Sequence, residues 1–381
     1  MNALALEAFE PDKEGSAASE RLCAWRPVIA TMSEMDAVAL PDWGGELAVE
    51  SVDVPDPGPN EVRVAVRACG ITRTVENAIQ GGLDDDPSLT PRVPGHEFAG
   101  VVDAVGENIT DRSVGDRVFA YFYLTCDECD ACRRGDTNQC TDFGGWLGVN
   151  GPGAYAEYTT IPAANALPMP EDLSFPAAAI AADGLATPLH ICERTGIRDD
   201  DTVLVIGAAG RVGVHLCQVA AARGAHVLAA DINADRLGHV DAVTGPAVTP
   251  LDASAPEFVA RLQAETRVGE GPTVAVDTVG DVGAIEDAWE ALAMGGQLVT
   301  LTTHHERSFG PPLKDFVVTE ASIVGCRYAP RDEVIRAGRL LSDGRVTPIV
   351  TGMHGLSAVP SVHADIRAGD THGMHILDPT R

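Results

Sequence analysis

The feature that most constrains the fold is a series of short apolar segments that alternate with helix-compatible segments from Asp201 onward. The apolar segments are DTVLVIG, HVLAAD, TVAVDTVG and GGQLVTLTT, and the stretch RVGVHLCQVAAARG lies between the first two. Strands that are apolar throughout, rather than at alternate positions, are typical of a parallel sheet that helices cover on both faces. The sequence therefore predicts a doubly wound α/β domain over residues 185–325.

A glycine-rich turn joins the first of these strands to its helix, with glycines at Gly207, Gly210 and Gly213. Glycines at such a turn let the backbone approach a pyrophosphate, and the helix N-terminus offers unpaired N–H groups and a positive dipole. The next strand ends at Asp231, 18 residues after Gly213. A carboxylate there hydrogen-bonds the ribose hydroxyls of NAD and repels a 2′-phosphate. We expect an NAD(H) site; the alternative is a glycine turn in an α/β domain without a ligand.

The chain before this region has a different texture. Residues 35–184 contain short apolar runs cut by Gly and Pro, and the alternating Val62, Val64 and Val66 indicate a half-buried strand. This predicts a mostly β domain. Residues 326–381 are too few for a domain of their own, so we expect them to return to the first one. Residues 1–34 are polar and lack a sustained period, and we interpret them as an N-terminal extension that need not be ordered.

Four of the nine cysteines fall in the single run TCDECDACRRGDTNQC, at Cys126, Cys129, Cys132 and Cys140. Four thiolates at such spacing can surround one tetrahedral Zn²⁺, and a site filled entirely by protein ligands is structural. The other five cysteines are scattered singly, which does not favour a disulfide framework. The sequence predicts a zinc lobe over about residues 126–140; the alternative is four reduced thiols on a loop.

A histidine and a glutamate stand side by side in PGHEFAGVVDAVG, at His96 and Glu97. A neutral imidazole can bind a metal directly, and the neighbouring carboxylate can act as a second ligand or support the first. The pair alone is a weak indication, because a single buried histidine is more often a satisfied core group.

Together, and in this order, these motifs resemble the zinc-dependent alcohol dehydrogenases of the medium-chain dehydrogenase/reductase superfamily. The resemblance runs from about Met35 to the C-terminus. It implies a GroES-like catalytic domain, residues 35–184 and 326–381, interrupted by a Rossmann domain, with the active site between them. It also implies that the four-cysteine run is the family's structural zinc loop, that His96 is a catalytic-zinc ligand, and that Glu97 lies beside it.

The resemblance assigns further residues. Asp183, in ADGLATPLH, falls where the family carries another catalytic-zinc ligand, and Thr187 falls where a threonine lies near the nicotinamide. Arg236 matches a basic residue near the adenosine ribose. The implied cofactor-binding set is Thr187, Gly207, Gly210, Arg211, Val212, Gly213, Asp231 and Arg236.

One stretch departs from the family. Where the family has a cysteine ligand, a relay Ser or Thr and a relay histidine, this chain has Thr72, Thr74 and Asn77. A neutral threonine hydroxyl is a poor substitute for a thiolate, because it supplies neither charge nor softness. Three outcomes stay open: His96, Glu97 and Asp183 hold zinc with water or Thr72 completing the shell; Cys69 moves in; or the catalytic zinc is absent and the site is remodelled.

A second departure lies near the C-terminus. Met374, in AGDTHGMHIL, replaces a family arginine that contacts the cofactor pyrophosphate, and Arg211 in the glycine loop is a candidate replacement.

The charge balance narrows the partners. The 381 residues carry 27 Lys+Arg against 56 Asp+Glu, a formal net charge of −29. Such a field repels nucleic-acid backbones and anionic lipid surfaces, so we expect neither as a partner. No apolar run approaches the ~20 residues of a membrane span, and no signal segment opens the chain, which favours a cytoplasmic protein. The acidity also suggests adaptation to high salt, where charges are screened over about 3 Å at 1 M salt; the alternative is a GC-rich genome with ordinary solvated acidic loops.

The resulting expectation is an NAD(H)-dependent enzyme that interconverts a small alcohol and an aldehyde or ketone by hydride transfer. Its catalytic residues would be Thr72, Thr74, His96 and Asp183, its cofactors NAD(H) and Zn²⁺, and its assembly a homodimer or homotetramer. One alternative is a zinc-independent quinone or enone reductase, because the turn GAAGRVG of this chain resembles the glycine loop of those enzymes. The other is a catalytically decayed nucleotide-binding sensor or subunit.

Overall fold

The computed structural model describes residues 33–266, 269–303 and 307–381. Of the predicted N-terminal extension, all but Ser33 and Glu34 therefore lies outside the described residues. From Glu34 to Arg381 the chain forms one compact unit. Its strands, in chain order, are β1 Glu34–Ala39, β2 Ala48–Asp53, β3 Glu61–Ile71, β4 Phe98–Val105, β5 Arg117–Ala120, β6 Tyr158–Pro162, β7 Ala166–Pro168, β8 Thr202–Ile206, β9 His226–Asp231, β10 Val248–Asp252, β11 Val274–Asp277, β12 Gln297–Thr300, β13 Ser322–Gly325, β14 Val350–His354 and β15 Met374–Leu377.

The helices connect and cover these strands. They are α1 Arg73–Ile79, α2 Asp130–Arg133, α3 Phe175–Ile180, α4 Ala186–Thr195, α5 Arg211–Ala222, α6 Ala234–Val243, α7 Phe258–Ala264, α8 Val282–Ala291, α9 Leu313–Thr319, α10 Arg331–Ser342 and α11 Val359–Ala368. A π-helical turn, Ala181–Leu185, joins α3 to α4.

The N-terminal part and the end of the chain build one mixed sheet. Its strand order is β14-β15-β3-β4-β5-β7, and β6 also pairs with β3. Only β14 and β15 run parallel; the other pairs in this sheet are antiparallel. Val62, Val64 and Val66 on β3 are fully buried, so this strand lies deeper than the half-buried one that its alternation predicts. The final strands β14 and β15 return to this sheet, as the sequence predicts.

The glycine-containing region forms a six-stranded sheet in which every pair is parallel, with the order β10-β9-β8-β11-β12-β13. All five residues of β8 are buried, because the sheet carries helices on both faces. From β8 the sheet continues to β9 and β10 on one side, and the chain then crosses to β11 on the other side of β8, so the strand order reverses there. In open α/β sheets, ligands bind outside the carboxyl ends of the strands at this reversal, and the glycine turn leaves β8 there.

The helical stretch Phe175–Thr195 is long and apolar enough to cross a membrane by length and composition. In its most apolar window, 89% of the residues are buried inside the protein. This burial is what a core helix shows, and the stretch carries Asp183 into the interior beside β4.

A buried histidine fastens the C-terminal part of the chain to α5. His215 donates from Nδ1 to the carbonyl of Arg211 at 2.8 Å and accepts at Nε2 from the amide of Ile349 at 3.3 Å, so the ring is neutral. Burial lowers the pKa of His215 to about 4.

Acidification is therefore expected to weaken the fold through His215. Between about pH 6.5 and pH 4 the unfolded histidine binds a proton that the folded one excludes, so the free energy of unfolding falls as the pH falls, by at most about 3 kcal/mol. Urea unfolding across this range checks the slope, with His215→Gln as the comparison because glutamine does not titrate. An equal slope in the variant would contradict the assignment.

Candidate active site

The glycine turn after β8 has the backbone shape that its sequence requires. Gly207 has a φ of +77°, a conformation that favours glycine. A Cβ on Gly213 would stand 2.2 Å from the carbonyl oxygen of Gly207 and 2.7 Å from Cα of Ala208. Gly210 begins α5 without a side-chain cap, so the first amides of the helix are free for a ligand.

The end of β9 faces this turn. Asp231 accepts hydrogen bonds from the amide of Ala209 at 3.1 Å and from that of Asn233 at 3.0 Å. Arg236, on the first turn of α6, donates to the carbonyl of Gly369 at 2.7 Å. The structure thus places the predicted ribose carboxylate directly beside the predicted pyrophosphate turn.

Replacing Gly213 by alanine is expected to weaken NADH binding at least tenfold, because the new methyl group collides with the backbone of the glycine turn. A fluorescence titration with NADH measures the change. Gly210→Ala is the comparison variant from the same turn: a Cβ there would approach one carbonyl oxygen at 3.1 Å, and the φ of −74° suits alanine, so we expect the smaller loss of affinity. Equal affinities for the two variants would contradict this account of the turn.

A buried cluster of ionisable side chains forms where the two sheets meet. His96 and Glu97 come immediately before β4, and Asp183 comes from the π-helical turn between α3 and α4. Candidate ligand atoms of these three residues all lie within 4.8 Å of one another. Single π-helical turns inside helices often mark functional sites, and here the turn aims a carboxylate at the histidine.

Arg211 enters this cluster from the glycine turn. Its Nη1 donates to both carboxylate oxygens of Glu97 at 3.2 and 3.1 Å, and its Nη2 donates to Oδ2 of Asp183 at 3.0 Å. The amide of Gly184 also donates to Glu97, at 2.8 Å. Arg211 is the first residue of α5, so one side chain links the predicted dinucleotide site to the predicted metal site.

Burial and pairing shift the acidities in this cluster in opposite directions. Burial raises the pKa of Glu97 above its ordinary value, and the guanidinium of Arg211 opposes this shift by favouring the ionised form. Burial would also raise the pKa of Asp183, but Arg211 and His96 outweigh it and hold that pKa well below its usual range. Asp183 therefore stays ionised at neutral pH and carries the negative charge that faces His96.

His96 and Asp183 fit a zinc ion. Nε2 of His96 is buried and makes no hydrogen bond among the described residues, so it is available to a ligand. It lies 3.5 Å from Oδ2 of Asp183. Two ligands of a tetrahedral zinc stand about 3.4 Å apart, given metal–ligand distances of 2.0–2.1 Å. The nitrogen and carboxylate donors also suit this metal.

The residues that the family alignment assigns near Thr72 have other surroundings. The Oγ1 atom of Thr72 accepts from the amide of Val75 at 3.3 Å and caps α1, so one of its two lone pairs serves the helix. Cys69 is fully buried on β3, where burial raises the pKa of its thiol. Thr74 is half-buried on α1 and Asn77 is exposed. Among the His, Cys, Asp and Glu side chains of the described residues, the cluster of possible metal ligands around His96 does not include Cys69.

Two further predicted residues lie at the edge of the cluster. Thr187 donates to Oδ1 of Asp183 at 2.8 Å, so it orients the carboxylate. Met374 is fully buried; a Cβ on Gly70 would stand 3.0 Å from its Cε and 2.8 Å from Oε2 of Glu97. An apolar methionine therefore lies close to Glu97, and the positive charge beside this carboxylate comes from Arg211.

The four-cysteine run forms a compact sulfur cluster. Sγ of Cys126 lies 4.0 Å from that of Cys132 and 3.5 Å from that of Cys140. Ligand sulfurs on one tetrahedral zinc stand about 3.8 Å apart at 2.3 Å per bond. The amide of Cys132 donates to the sulfur of Cys129 and lowers the pKa of that thiol to about 5, which favours a thiolate ligand.

Sequence reasoning did not anticipate the aromatic wall beside His96. The ring of Phe122 lies 4.4 Å from that of His96, and Tyr328 lies 4.1 Å from Phe122. The hydroxyl of Tyr328 donates to the carbonyl of Ala182, next to Asp183. Phe122 follows β5 in the apolar run AYFYL, but Tyr328 is distant in sequence, so only the fold brings them together. The wall excludes water from one side of the histidine.

The fold and the two sites define an oxidoreductase with a dinucleotide-binding α/β domain, a GroES-like domain and a four-cysteine zinc lobe. Residues 58–171 match the alcohol dehydrogenase GroES-like domain, and residues 212–343 match the zinc-binding dehydrogenase domain. The chain belongs to the zinc-type alcohol dehydrogenases of the medium-chain dehydrogenase/reductase superfamily. The predicted fold class is thereby confirmed.

Curated relatives and solved structures agree with this assignment. An L-galactonate-5-dehydrogenase of Escherichia coli K12 is 33% identical over 79% of this chain and 86% of its own length. An alcohol dehydrogenase of Geobacillus stearothermophilus is 28% identical over 90% of this chain and 99% of its own. A crystal structure of an NAD-dependent alcohol dehydrogenase superposes with a TM-score of 0.82 at 29% identity, over 90% and 99% of the two chains. These comparisons support NAD(H) and Zn²⁺ as the cofactors.

Proposed function

We propose that this protein oxidises a small secondary alcohol to its ketone, and reduces the ketone, by hydride transfer to and from NAD(H). The observation that carries the proposal is the buried His96–Asp183 pair at the junction of the two sheets: Nε2 of His96 lies 3.5 Å from a carboxylate oxygen of Asp183 and makes no hydrogen bond among the described residues. The similarity to a galactonate dehydrogenase and to alcohol dehydrogenases supports a hydroxyl-bearing carbon as the reacting centre.

The protein's own groups prepare the reaction. When bound by His96 and Asp183, with Glu97 beside them, zinc supplies Lewis acidity that lowers the pKa of an alcohol. Thr187 and Arg211 fix the carboxylate of Asp183, which keeps the pair from rearranging when substrate enters. The wall of Phe122 and Tyr328 keeps the site dry, and Thr74 on α1 is the group we assign to pass the alcohol proton outward.

The carboxylate of Asp231 favours NAD(H) over NADP(H). It already accepts from the amide of Ala209, so its negative charge is held against the glycine turn where the adenosine ribose would lie. A 2′-phosphate brought to this position would meet a fixed negative charge. We assign Arg236, which is tethered to Gly369 on the neighbouring segment, to the outer side of the ribose.

The test is a coupled absorbance assay with the zinc-loaded protein. NAD⁺ or NADP⁺ is offered with 2-propanol, cyclohexanol, L-threonine and L-galactonate, and the formation of NADH or NADPH is followed. We expect turnover with at least one secondary alcohol and a kcat/KM for NAD⁺ at least tenfold above that for NADP⁺. Activity with cyclohexenone and NADH, but with none of the alcohols, would instead support the second candidate function.

That second candidate is zinc-independent reduction of an activated alkene. The specific observation in its favour is Arg211, which provides a positive charge inside the cluster without a metal. The glycine turn GAAGRVG also resembles that of the superfamily's zinc-free reductases. The retained His96 and Asp183, which such a reaction does not need, favour the alcohol dehydrogenase.

The charge of −29 bears on where the enzyme works. NAD⁺ must reach the site against this field, and raising the salt concentration from 0.1 to 1 M shortens the screening length from about 10 to about 3 Å. We propose a salt-rich cytoplasm as its setting and a homodimer or homotetramer as its assembly. The KM for NAD⁺ is expected to fall several-fold between 0.1 and 2 M KCl in steady-state assays; a KM that rises with KCl would contradict the proposal.

A further inference from the structure

The position of the Arg211 guanidinium is the least expected feature of the candidate active site. An arginine in a glycine turn is expected to face the cofactor phosphates. Here the side chain is only 14% exposed and lies between two buried carboxylates: Nη1 donates to both oxygens of Glu97, and Nη2 donates to Asp183. Glu97 itself is completely buried, and the amide of Gly184 and this guanidinium are the partners of its carboxylate.

The guanidinium of Arg211 supplies the positive charge beside Glu97 and Asp183 that a bound metal would otherwise supply. Buried carboxylates are costly unless they face a cation, and hydrogen bonds from a charged guanidinium are stronger than those between neutral groups. The guanidinium also lowers the affinity of the site for a divalent cation, because the two cations compete for the same two carboxylates and repel each other at short range. Because Thr72 caps α1, its oxygen is less available as an additional metal ligand that would offset this repulsion.

We propose that Arg211 is a resident cation of the active site: it stabilises Glu97 and Asp183 in the metal-free protein and holds the affinity of the His96–Asp183 pair for a divalent cation low. Removing the guanidinium while keeping the volume, as in Arg211→Met, converts the cluster into a tight divalent-cation site. The inference rests on the proposed function only in taking this cluster as the active site, and its readouts do not require turnover.

The experiment measures Co²⁺ binding to protein whose four-cysteine site is already filled with zinc. The wild type, Arg211→Met and a control, Arg339→Met, are titrated with Co²⁺, and d–d absorption and equilibrium dialysis give the affinity of the second site. Arg339 is an exposed arginine on α10 for which no ion pair is found among the described residues. We expect Co²⁺ to bind Arg211→Met at least tenfold more tightly than the wild type, with Arg339→Met unchanged.

Thermal unfolding supplies a second, independent readout. Arg211→Met should melt below the wild type without added metal, because two buried carboxylates lose their cation, and Co²⁺ should restore its Tm far more than it raises that of the wild type. Arg211→Met/Glu97→Gln replaces one of the two buried carboxylates by a neutral amide, so it should melt closer to the wild type without metal and should lose most of the metal rescue, because an amide cannot serve as an anionic ligand.

The outcomes are distinct. Wild-type Co²⁺ affinity equal to or above that of Arg211→Met, or a variant that Co²⁺ does not stabilise, overturns the inference. Absence of alcohol oxidation in the wild type, with Co²⁺ binding as expected, would instead contradict the proposed function and leave the resident cation standing.

Discussion

Cys132→Ser is expected to lose one zinc per chain and about 4 kcal/mol of unfolding free energy. A serine hydroxyl does not replace a thiolate on zinc, and the other three sulfurs would be left close together without a cation. The lobe is tied to the rest of the protein through its 3₁₀ turn, Thr137–Gln139. Thr137 accepts from the amide of Arg331 at 2.8 Å, and Asn138 donates to the carbonyl of Arg327 at 2.8 Å.

The loss should therefore extend beyond the lobe. Tyr328 lies between those two arginines and packs against Phe122 at the wall of the active site, so a disordered lobe would also loosen that wall. Zinc analysis by mass spectrometry and calorimetric unfolding measure both effects. Cys326→Ser changes a cysteine that is buried but lies outside the sulfur cluster, and should keep the zinc. Full zinc content in Cys132→Ser would contradict the assignment of this ligand.

Asp183→Asn is expected to lower kcat/KM for alcohol oxidation by about three orders of magnitude, or about 4 kcal/mol of transition-state stabilisation. The amide keeps the size of the side chain but removes the charge that faces His96 and Arg211. One of the two carboxylate oxygens is replaced by an NH₂ group, which cannot accept a hydrogen bond from Arg211. Loss of a metal ligand and loss of a fixed neighbour of His96 then act together.

Steady-state kinetics with NAD⁺ and the best secondary alcohol test this, alongside NADH titration. We expect the affinity for NADH to change less than threefold, because Asp183 lies outside the glycine turn. Asp241→Asn, an exposed carboxylate on α6, is the matched control and should behave as the wild type. Turnover by Asp183→Asn within tenfold of the wild type would remove Asp183 from the reaction.

The parts of the fold that were predictable depend on local periodicity. The strand, glycine turn, helix and carboxylate from Thr202 to Asp231 follow one another in sequence, so their pattern predicts both the parallel sheet and the dinucleotide site. The four cysteines lie within 15 residues, and their spacing alone predicts a zinc cluster. His96, Glu97 and Asp183 were brought together by the family resemblance rather than by any local pattern.

The parts that were not predictable depend on side-chain direction. The glycine turn predicts that Arg211 lies near phosphates, but nothing local indicates that its guanidinium turns toward Glu97 and Asp183. The same holds for Thr72, whose hydroxyl has a choice between a metal and the amide of Val75. Such choices are settled by buried charges from distant parts of the chain, which local patterns do not contain.

The most direct test of the central claim follows the hydride itself. The zinc-loaded protein is incubated with NAD⁺ and secondary alcohols deuterated at the carbinol carbon, and the NADH formed is analysed by mass spectrometry. The account predicts NADH that is one mass unit heavier, with one deuterium transferred per ketone formed, and loss of this transfer in Asp183→Asn. The account would be contradicted if no deuterated NADH formed with any of the alcohols while deuterium from labelled NADH was transferred to the β-carbon of cyclohexenone.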